Sequence, residues 1–329
     1  MPAARILATG YHVPERVVTN RDLEQLMDTT DEWIRERSGI VERRWVDGEA
    51  GSDLALEAAR MALARAGMEP SDLDCIVLAT LSPDHFFPGT GVFLQRKLGI
   101  TEIPCLDVRN QCTGFLYGLS VAEAWIRIGR YRRVLLVGTE VHSTGLERST
   151  AGRDTAVLFG DGAGAVILGP TEEERGVLAI RLHADGRHAE KLWIEAPASA
   201  YEPFISHDYI DRRMTYPSME GREVFKHATT RMPEVVEEVL ADAGAGIEDI
   251  ALLIPHQANL RISQAVQKRL GLSDERVYNN IQRYGNTTAA SIPIALHEAL
   301  EEGRIRDGDL VCMAAFGSGF TWGAVLLRW

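Results

Sequence analysis

The chain has 329 residues, of which 45% are hydrophobic and 25% charged, and its formal net charge is −12. This length predicts two domains or one large two-lobed core, and the acidic balance argues against nucleic acid as the main partner. No apolar stretch reaches the roughly 18 residues that a membrane span needs, and the N-terminus lacks the apolar core of a signal peptide, so we predict a cytoplasmic protein.

From the N-terminus onward, the first half alternates predicted strands and helices. A strand-like run comes first, and residues 64–78 indicate the end of a helix, a short acidic connection and a buried strand. The next helix closes on Gly99, and an apolar strand follows over residues 103–108. This alternation predicts the α/β class, with central sheets covered by helices.

Cys112 lies where that strand gives way to a helical pattern that begins at Gly114. Free backbone N–H groups at a helix start lower the pKa of a thiol, so the position favours a thiolate nucleophile. A cysteine is more often a small buried hydrophobe, but Asn110, Gln111 and Thr113 make this setting polar. A nucleophile also needs a base, an oxyanion hole and a substrate from the rest of the chain.

The other three cysteines predict neither a structural metal site nor a disulfide framework. No pair has the CxxC spacing, and each lies in an apolar run, at Cys75, Cys105 and Cys312.

The glycine-rich segment 159–164 resembles a dinucleotide loop only superficially. The run that follows, residues 163–168, indicates a strand rather than a helix, and the acidic residue of that motif is missing. We predict a tight turn in which small residues permit close packing.

The second half of the chain repeats the first in the same order. The matching segments are 64–78 with 241–254, 95–100 with 267–272, 128–137 with 302–311, and 162–168 with 320–327. Four matches in order predict two halves of similar design, 1–172 and 173–329. Aligning Gly129 with Gly303 places Cys112 opposite Asn286, although two threonines after Asn286 also fit a helix cap.

Two further turns supply candidates for the chemistry. His256 follows the apolar run 252–255. Of the nine histidines, it is our candidate for the site because it comes at the end of a strongly apolar strand and polar residues follow it. At the carboxyl end of a strand it can donate to an oxyanion or hold a thiolate, the alternative being a structural histidine that caps the turn. The glycine turn 315–323 exposes backbone N–H groups that can complete an oxyanion hole with the N–H of Cys112.

Together these motifs resemble the β-ketoacyl-[acyl carrier protein] synthase III family, which are condensing enzymes of the thiolase fold. The matching segments, in the family's order, are 31–40, the turn at Cys112, 159–164, 256–259, 285–293 and 316–323. The resemblance implies two pseudo-symmetric halves in a layered α-β-α-β-α arrangement, a homodimer, and acyl-CoA and malonyl-[acyl carrier protein] as substrates. It implies no metal or cofactor.

The resemblance also assigns residues to roles. Cys112, His256 and Asn286 would form the catalytic triad, and the backbone N–H groups of Cys112 and Ser318 would form the oxyanion hole. The resemblance assigns Trp33, Arg37, Arg153, Gly221, Phe225 and Asn259 to coenzyme A, and Phe87 and Phe316 to the acyl pocket, with Phe87 closing the pocket of the neighbouring subunit. Beside these, a candidate patch for an acidic carrier protein comprises Lys226, Arg261, Lys268 and Arg269, the last three spaced to lie on one face of the helix after Asn259. Without the family, an ordinary amphipathic or charged helix face explains Trp33, Arg37 and the basic patch.

Three segments depart from the family pattern. Residues 110–111, just before the cysteine, are more polar than in most family members, and the residues 84–86 that precede Phe87 are unusual for the family. The segment 183–219 is longer than in compact members, and it should border the acyl or pantetheine tunnel. The alternatives are an acyltransferase on the same fold, a condensation of two acyl-CoAs, and a non-catalytic partner subunit. Enzymes that condense two acyl-CoAs use a glutamate from the segment around Phe87, and residues 81–101 contain none. A non-catalytic partner subunit would usually have lost the nucleophile, whereas Cys112 is present.

Overall fold

The computed structural model describes residues 3–329. Its strands are β1 (Ala3–His12), β2 (Val17–Thr19), β3 (Glu42–Arg44), β4 (Cys75–Ala79), β5 (Cys105–Val108), β6 (Val134–Glu140), β7 (Gly162–Thr171), β8 (Gly176–Ala184), β9 (Leu192–Trp193), β10 (Ser218–Met219), β11 (Ile250–Pro255), β12 (Leu310–Gly317) and β13 (Thr321–Arg328). Its α-helices are α1 (Asn20–Glu24), α2 (Asp31–Ser38), α3 (Gly51–Ala66), α4 (Thr90–Leu98), α5 (Gly114–Arg127), α6 (Arg153–Ala156), α7 (His207–Asp211), α8 (Gly221–Ala243), α9 (Leu260–Leu270), α10 (Ile281–Tyr284) and α11 (Ser291–Glu301).

The first sheet has five strands in the order β1-β7-β6-β4-β5. The pairs β6/β4 and β4/β5 are parallel, whereas β7 runs antiparallel to both of its neighbours. Strands β4 and β6 are buried along their whole length, which explains their continuous apolar sequences. The parallel strands β4, β5 and β6 end on the same edge of the sheet, and the chain segments that follow them reach the cavity described below.

The second sheet repeats this pattern with the order β11-β12-β13-β8. Strands β11 and β12 are parallel, and β13 runs antiparallel to both neighbours. A single parallel bridge between Leu253 and Val277 flanks β11, at the place that β5 occupies beside β4. The two sheets therefore have corresponding topologies.

Helices α5 and α11 lie between the two sheets and form the middle of one continuous core. That core joins Phe115 and Leu116 of α5, Ile292 and Leu296 of α11, and buried strand residues from both sheets. Helices α3 and α4 pack on the outer face of the first sheet, and α8 and α9 pack on the outer face of the second. The predicted α/β class and layered α-β-α-β-α arrangement are confirmed. The boundary at residue 172 falls between β7 and β8 and stays a prediction, because the halves share this core.

The two central helices are not the same length, which corrects the predicted register between the halves. Helix α5 has 14 residues and α11 has 11. Each follows a 3₁₀ turn whose first residue has a left-handed φ, 44° at Gln111 and 46° at Thr288. The counterpart of Cys112 is therefore Ala289, and Asn286 precedes it by three positions. The alignment through Gly129 and Gly303 was wrong at the helix starts, because α11 begins one turn later.

Within residues 3–329, no helix is long and apolar enough to cross a membrane. The same residues contain no group of three or more histidine, cysteine, aspartate or glutamate side chains arranged to hold a metal ion. All four cysteines are free, and Cys75, Cys105 and Cys312 lie in strands β4, β5 and β12.

Candidate active site

A cavity of about 370 Å³ brings together the three residues predicted as catalytic, Cys112, His256 and Asn286. Cys112 lies after β5, His256 directly follows β11, and Ser318 of the same cavity directly follows β12. Side chains at the carboxyl ends of parallel strands converge on one edge of a sheet, which explains why distant sequence positions meet here. Their catalytic roles remain predictions.

Two backbone N–H groups, that of Cys112 itself and that of Ser318, lie close enough to the Cys112 thiol to lower its pKa. The side chain is only 7% exposed. Gly317 presses against it so closely that a Cβ built at Gly317 would lie 2.7 Å from the Cys112 Cβ. Only glycine fits at that position, so the glycine turn delivers the Ser318 N–H to the sulfur. Two N–H groups beside the thiol can bind the oxygen of a tetrahedral intermediate.

The prediction of a lowered thiol pKa was wrong. Burial raises the pKa of the Cys112 thiol to about 12, and the nearby carboxyl of Glu140 acts in the same direction. The two backbone N–H groups lower the pKa, but by less than desolvation raises it. The resting cysteine is therefore a neutral thiol, and charge on its sulfur develops during reaction rather than before it.

His256 lines the cavity as a neutral hydrogen-bonding group. Its Nδ1 lies 2.7 Å from Ser291 Oγ, which also accepts the Gln257 backbone N–H at 3.4 Å. The serine hydroxyl is then free to donate to Nδ1, and this leaves the ring proton on Nε2. Among the described residues, Nε2 has no hydrogen-bond partner. Burial lowers the pKa of His256 to about 3, with His142 contributing, so the ring stays uncharged.

Asn286 presents a second neutral donor. Its Oδ1 accepts the backbone N–H of Thr288 at 2.9 Å, and its own backbone N–H donates to Leu158 O at 2.8 Å. Because Oδ1 is occupied, the Nδ2 group is the part of the amide available to the cavity. Asn286 does not cap a helix, because the N-cap positions of the 3₁₀ turn and of α11 are Thr287 and Ala290. Its bond to Thr288 is a local turn that fixes the orientation of the amide.

Between pH 5 and 8, the rate of any reaction catalysed in this cavity should show no ionisation of His256. A histidine of ordinary pKa near 6.5 would be mostly protonated at pH 5.5, whereas His256 with a pKa of about 3 remains neutral throughout that range. The measurement is the rate against pH for the wild type and for His256→Gln. A limb near pH 6.5 that disappears in the variant would contradict the neutral state.

The polarity of the segment before Cys112 has a structural explanation. Asn110 Nδ2 donates to Thr113 Oγ1 at 2.7 Å, and Thr113 Oγ1 lies 2.8 Å from Thr321 Oγ1. This chain of polar groups ties the cysteine turn to β13, next to the glycine turn. Gln111 instead lines the cavity.

The residues predicted for coenzyme A fall into two adjoining groups. Gly221, Phe225 and Asn259 line the cavity, as does Phe316 of the predicted acyl pocket. The second group surrounds the ring of Trp33, whose centroid lies 4.6 Å from the Arg37 guanidinium carbon and 4.7 Å from that of Arg153. Asn259 Nδ2 donates to Arg37 O at 2.8 Å, which joins this cluster to the cavity wall.

Phe87 does not line the cavity of its own chain. Its side chain is 82% exposed, and it stands on the surface beside Phe86, with ring centroids 6.5 Å apart.

The four predicted patch residues are exposed on the neighbouring helices α8 and α9. Arg261 lies over the ring of Phe225, 5.8 Å from its centroid, and Arg269 pairs with Glu234 at 3.6 Å. Pairing with a carboxylate reduces what Arg269 contributes to an acid-binding surface. The other two members are Lys226 and Lys268.

The long segment 183–219 borders the cavity, as predicted. It contributes the short paired strands β9 and β10 and helix α7, and its cavity-lining residues are Leu192, Trp193, Ile194, Pro217 and Met219. Arg213 Nε donates to Glu147 Oε2 at 2.8 Å, which fastens the segment to the loop after β6.

Sequence reasoning missed several residues of the site. His142 lines the cavity two positions after β6, so His256 is not the only histidine that follows a strongly apolar strand. Applying the same strand-end rule to β6 would have found it. Ser291 and Thr288 orient the predicted donors through hydrogen bonds that no sequence signal encodes. Glu140 lies buried near the thiol, where burial raises its pKa to about 7.

Comparison with known proteins agrees with this architecture. The family model for the C-terminal part of 3-oxoacyl-[acyl-carrier-protein] synthase III matches residues 240–329, and the model for 3-oxoacyl-[acyl-carrier-protein] synthase III matches residues 106–186. The β-ketoacyl-[acyl-carrier-protein] synthase III of Caldanaerobacter subterraneus subsp. tengcongensis is 45% identical, with 99% of this chain and 98% of that protein covered. That of Geobacillus kaustophilus is 47% identical, with 99% of each covered.

A solved structure extends the likeness to the whole fold. The crystal structure of 3-oxoacyl-[acyl-carrier-protein] synthase III from Aquifex aeolicus superposes with a TM-score of 0.92 at 44% identity, covering 99% of this chain and all of that one. The layered halves therefore define a thiolase-fold enzyme. Within that class, the chain belongs to the β-ketoacyl-[acyl carrier protein] synthase III family.

Proposed function

We propose that this enzyme condenses an acyl-CoA with malonyl-[acyl carrier protein], with loss of carbon dioxide, and so initiates fatty acid synthesis. The single observation that carries the proposal is the cavity in which the Cys112 thiol, under two backbone N–H groups, shares its walls with two neutral donors, His256 and Asn286. The family membership of the chain supports the same reaction.

In the first step, Cys112 Sγ attacks the carbonyl carbon of the acyl-CoA thioester. The carbonyl oxygen takes up negative charge and is bound by the N–H groups of Cys112 and Ser318. The bond from carbon to the CoA sulfur breaks, the thiol proton passes to that sulfur, and free coenzyme A leaves an acyl group on Cys112. A fixed pair of donors suits this step because the resting thiol is neutral and the charge appears only in the transition state.

In the second step, the malonyl thioester enters the same cavity and loses its carboxylate as carbon dioxide. The electrons of the broken bond form an enolate, whose oxygen accepts hydrogen bonds from His256 Nε2 and Asn286 Nδ2. The enolate carbon attacks the acyl carbonyl, and the cysteine sulfur leaves and takes up a proton. Because both donors are uncharged, they do not bind the carboxylate of the substrate tightly. They stabilise the negative charge that develops on the enolate oxygen, and so lower the energy of the transition state more than that of the bound substrate.

The surroundings of the cavity suit the two carriers. Trp33, with Arg37 and Arg153 beside its ring, offers an aromatic face and positive charge for an adenine nucleotide, and Asn259 connects this cluster with the cavity. The exposed basic side chains on α8 and α9 would bind an acidic carrier protein, because the negative charge over most of this chain would repel such a protein elsewhere. We further propose a homodimer that covers the exposed aromatic patch of Phe86, Phe87 and Phe204.

The test of this function is incubation with acetyl-CoA and malonyl-[acyl carrier protein], following carbon dioxide release and the mass of the protein. We expect a mass increase at Cys112 with acetyl-CoA alone, and carbon dioxide and 3-oxoacyl-carrier only when the malonyl thioester is added. Acylation of Cys112 without carbon dioxide release, together with transfer to an oxygen or nitrogen acceptor, would identify an acyltransferase instead.

Replacing Lys268 with glutamate should raise the KM for malonyl-[acyl carrier protein] about tenfold at low salt, because an exposed charge at the rim of an interface governs association. The KM for acyl-CoA in the acylation step serves as the internal reference. Added salt should shrink the difference, since it screens exposed charges. Arg132→Glu makes the same charge change before β6, at the opposite end of the strands from the cavity. Equal effects from both variants would contradict a local carrier patch.

A further inference from the structure

A second cavity, of about 320 Å³, adjoins the first and is not used by the proposed mechanism. The two cavities share four wall residues: Leu81, His142, Ile194 and Pro217. None of the residues predicted for coenzyme A lines the second cavity. An acyl group on Cys112 that extends away from the coenzyme A entrance would therefore reach this shared wall.

His142 is the polar member of that wall, since the other three shared residues are apolar. Its ring packs against Phe159 at a tilt of 33°, with centroids 4.5 Å apart, and its Nε2 contacts the Thr288 hydroxyl. Among the described residues, Nδ1 has no hydrogen-bond partner. Burial lowers the pKa of His142 to about 3, so the ring is a neutral donor or acceptor rather than a cation.

The second cavity continues this polar character. Its walls include Glu49, Ser82, Asp84 and Thr144. The Asp84 carboxyl already accepts hydrogen bonds from Ser52, and the Ser82 hydroxyl already donates to Glu140. The polar groups left to meet a substrate are therefore those of Glu49 and Thr144. A plain alkyl chain would strip water from these groups and from His142 Nδ1 without replacing the hydrogen bonds, which is unfavourable.

We propose that His142 selects acyl groups that carry a hydroxyl substituent, so that the enzyme takes a hydroxyacyl thioester as its starter. This inference rests on the proposed function and names its substrate class. A hydroxyl both donates and accepts, so it can pair with Nδ1 in either tautomer, and a hydroxyl further along the chain can donate to the Glu49 carboxyl. A terminal carboxylate would instead meet Glu49 and Asp84, which carry the same charge.

The test compares acylation rates of Cys112 with four acyl-CoAs of equal carbon number: butyryl-, 3-hydroxybutyryl-, 4-hydroxybutyryl- and succinyl-CoA. The rate is followed by protein mass in a single turnover, without malonyl-[acyl carrier protein]. At least one hydroxylated chain should react about tenfold or more faster than butyryl-CoA at limiting substrate, and succinyl-CoA should be slowest. In His142→Leu the preference for hydroxyl should fall to about one. His207→Leu, on the exposed helix α7, should keep it.

The outcomes separate this inference from the function on which it rests. Equal rates for butyryl-CoA and both hydroxylated chains in the wild type would overturn the inference while leaving acyl transfer to Cys112 intact. A preference that persists in His142→Leu would also overturn it, because some other group would then recognise the hydroxyl. Failure of every acyl-CoA to modify Cys112 would contradict the proposed function itself. The wild-type comparison stands even if the leucine variant does not fold.

Discussion

Replacing Cys112 with alanine should abolish acylation by acyl-CoA and reduce overall condensation by a factor on the order of 10⁴ or more. Among the described residues, Cys112 is the only cysteine that lines the cavity, and removal of a nucleophile typically costs most of an enzyme's rate. The measurement is protein mass after incubation with acyl-CoA, together with the rate of 3-oxoacyl product formation.

Cys105→Ala is the matched control for this variant. Cys105 lies in β5, the strand that leads to the cysteine turn, but it does not line the cavity. Its replacement should leave acylation at the wild-type rate. An acylated Cys112→Ala protein, with the mass increase on another residue, would show that the nucleophile has been misassigned.

Replacing Asn286 with aspartate should leave acylation of Cys112 largely intact and slow condensation by about 10²–10³-fold. Aspartate can still accept the Thr288 N–H that orients the side chain, so the local fold should persist. It replaces the Nδ2 donor with an oxygen that repels an enolate. Acylation and carbon dioxide release, measured separately, give the two rates.

Asn286→Ala extends this comparison, because it removes the donor and the bond to Thr288 together. It should lose condensation to a similar extent, with an additional fall in thermal stability. If either variant could not be acylated while remaining folded, Asn286 would belong to the first step and the proposed division of labour would be wrong.

The sequence was sufficient to predict the class of fold and to select Cys112, His256 and Asn286, which meet in the cavity. Buried strands followed by polar turns identified His256 and the glycine turn, because the carboxyl ends of parallel strands converge. The four repeated segments predicted the paired sheets. The repeated segments align the ends of α5 and α11, but they do not show that α11 is one turn shorter at its start. The predicted alignment of Cys112 with Asn286 was therefore off by three positions.

The electrostatics of the site depended on packing that the sequence does not encode. The position of Cys112 at a helix start predicted a lowered pKa, but its burial raises the pKa to about 12. Desolvation is set by how closely Gly317 and the surrounding walls approach the sulfur, which only the tertiary structure defines. The same holds for His142, whose place between two cavities depends on the long segment that supplies Ile194 and Pro217.

The most direct test of the central claim is a chase of isolated acyl-enzyme. The wild-type protein is acylated with acetyl-CoA, freed of excess substrate, and mixed with malonyl-[acyl carrier protein] in a single turnover. We predict that each acetyl group lost from Cys112 appears in one 3-oxoacyl-carrier, with one carbon dioxide released. Loss of the acetyl group as free acetate, or its transfer without carbon dioxide, would contradict the claim that Cys112, His256 and Asn286 perform a decarboxylating condensation.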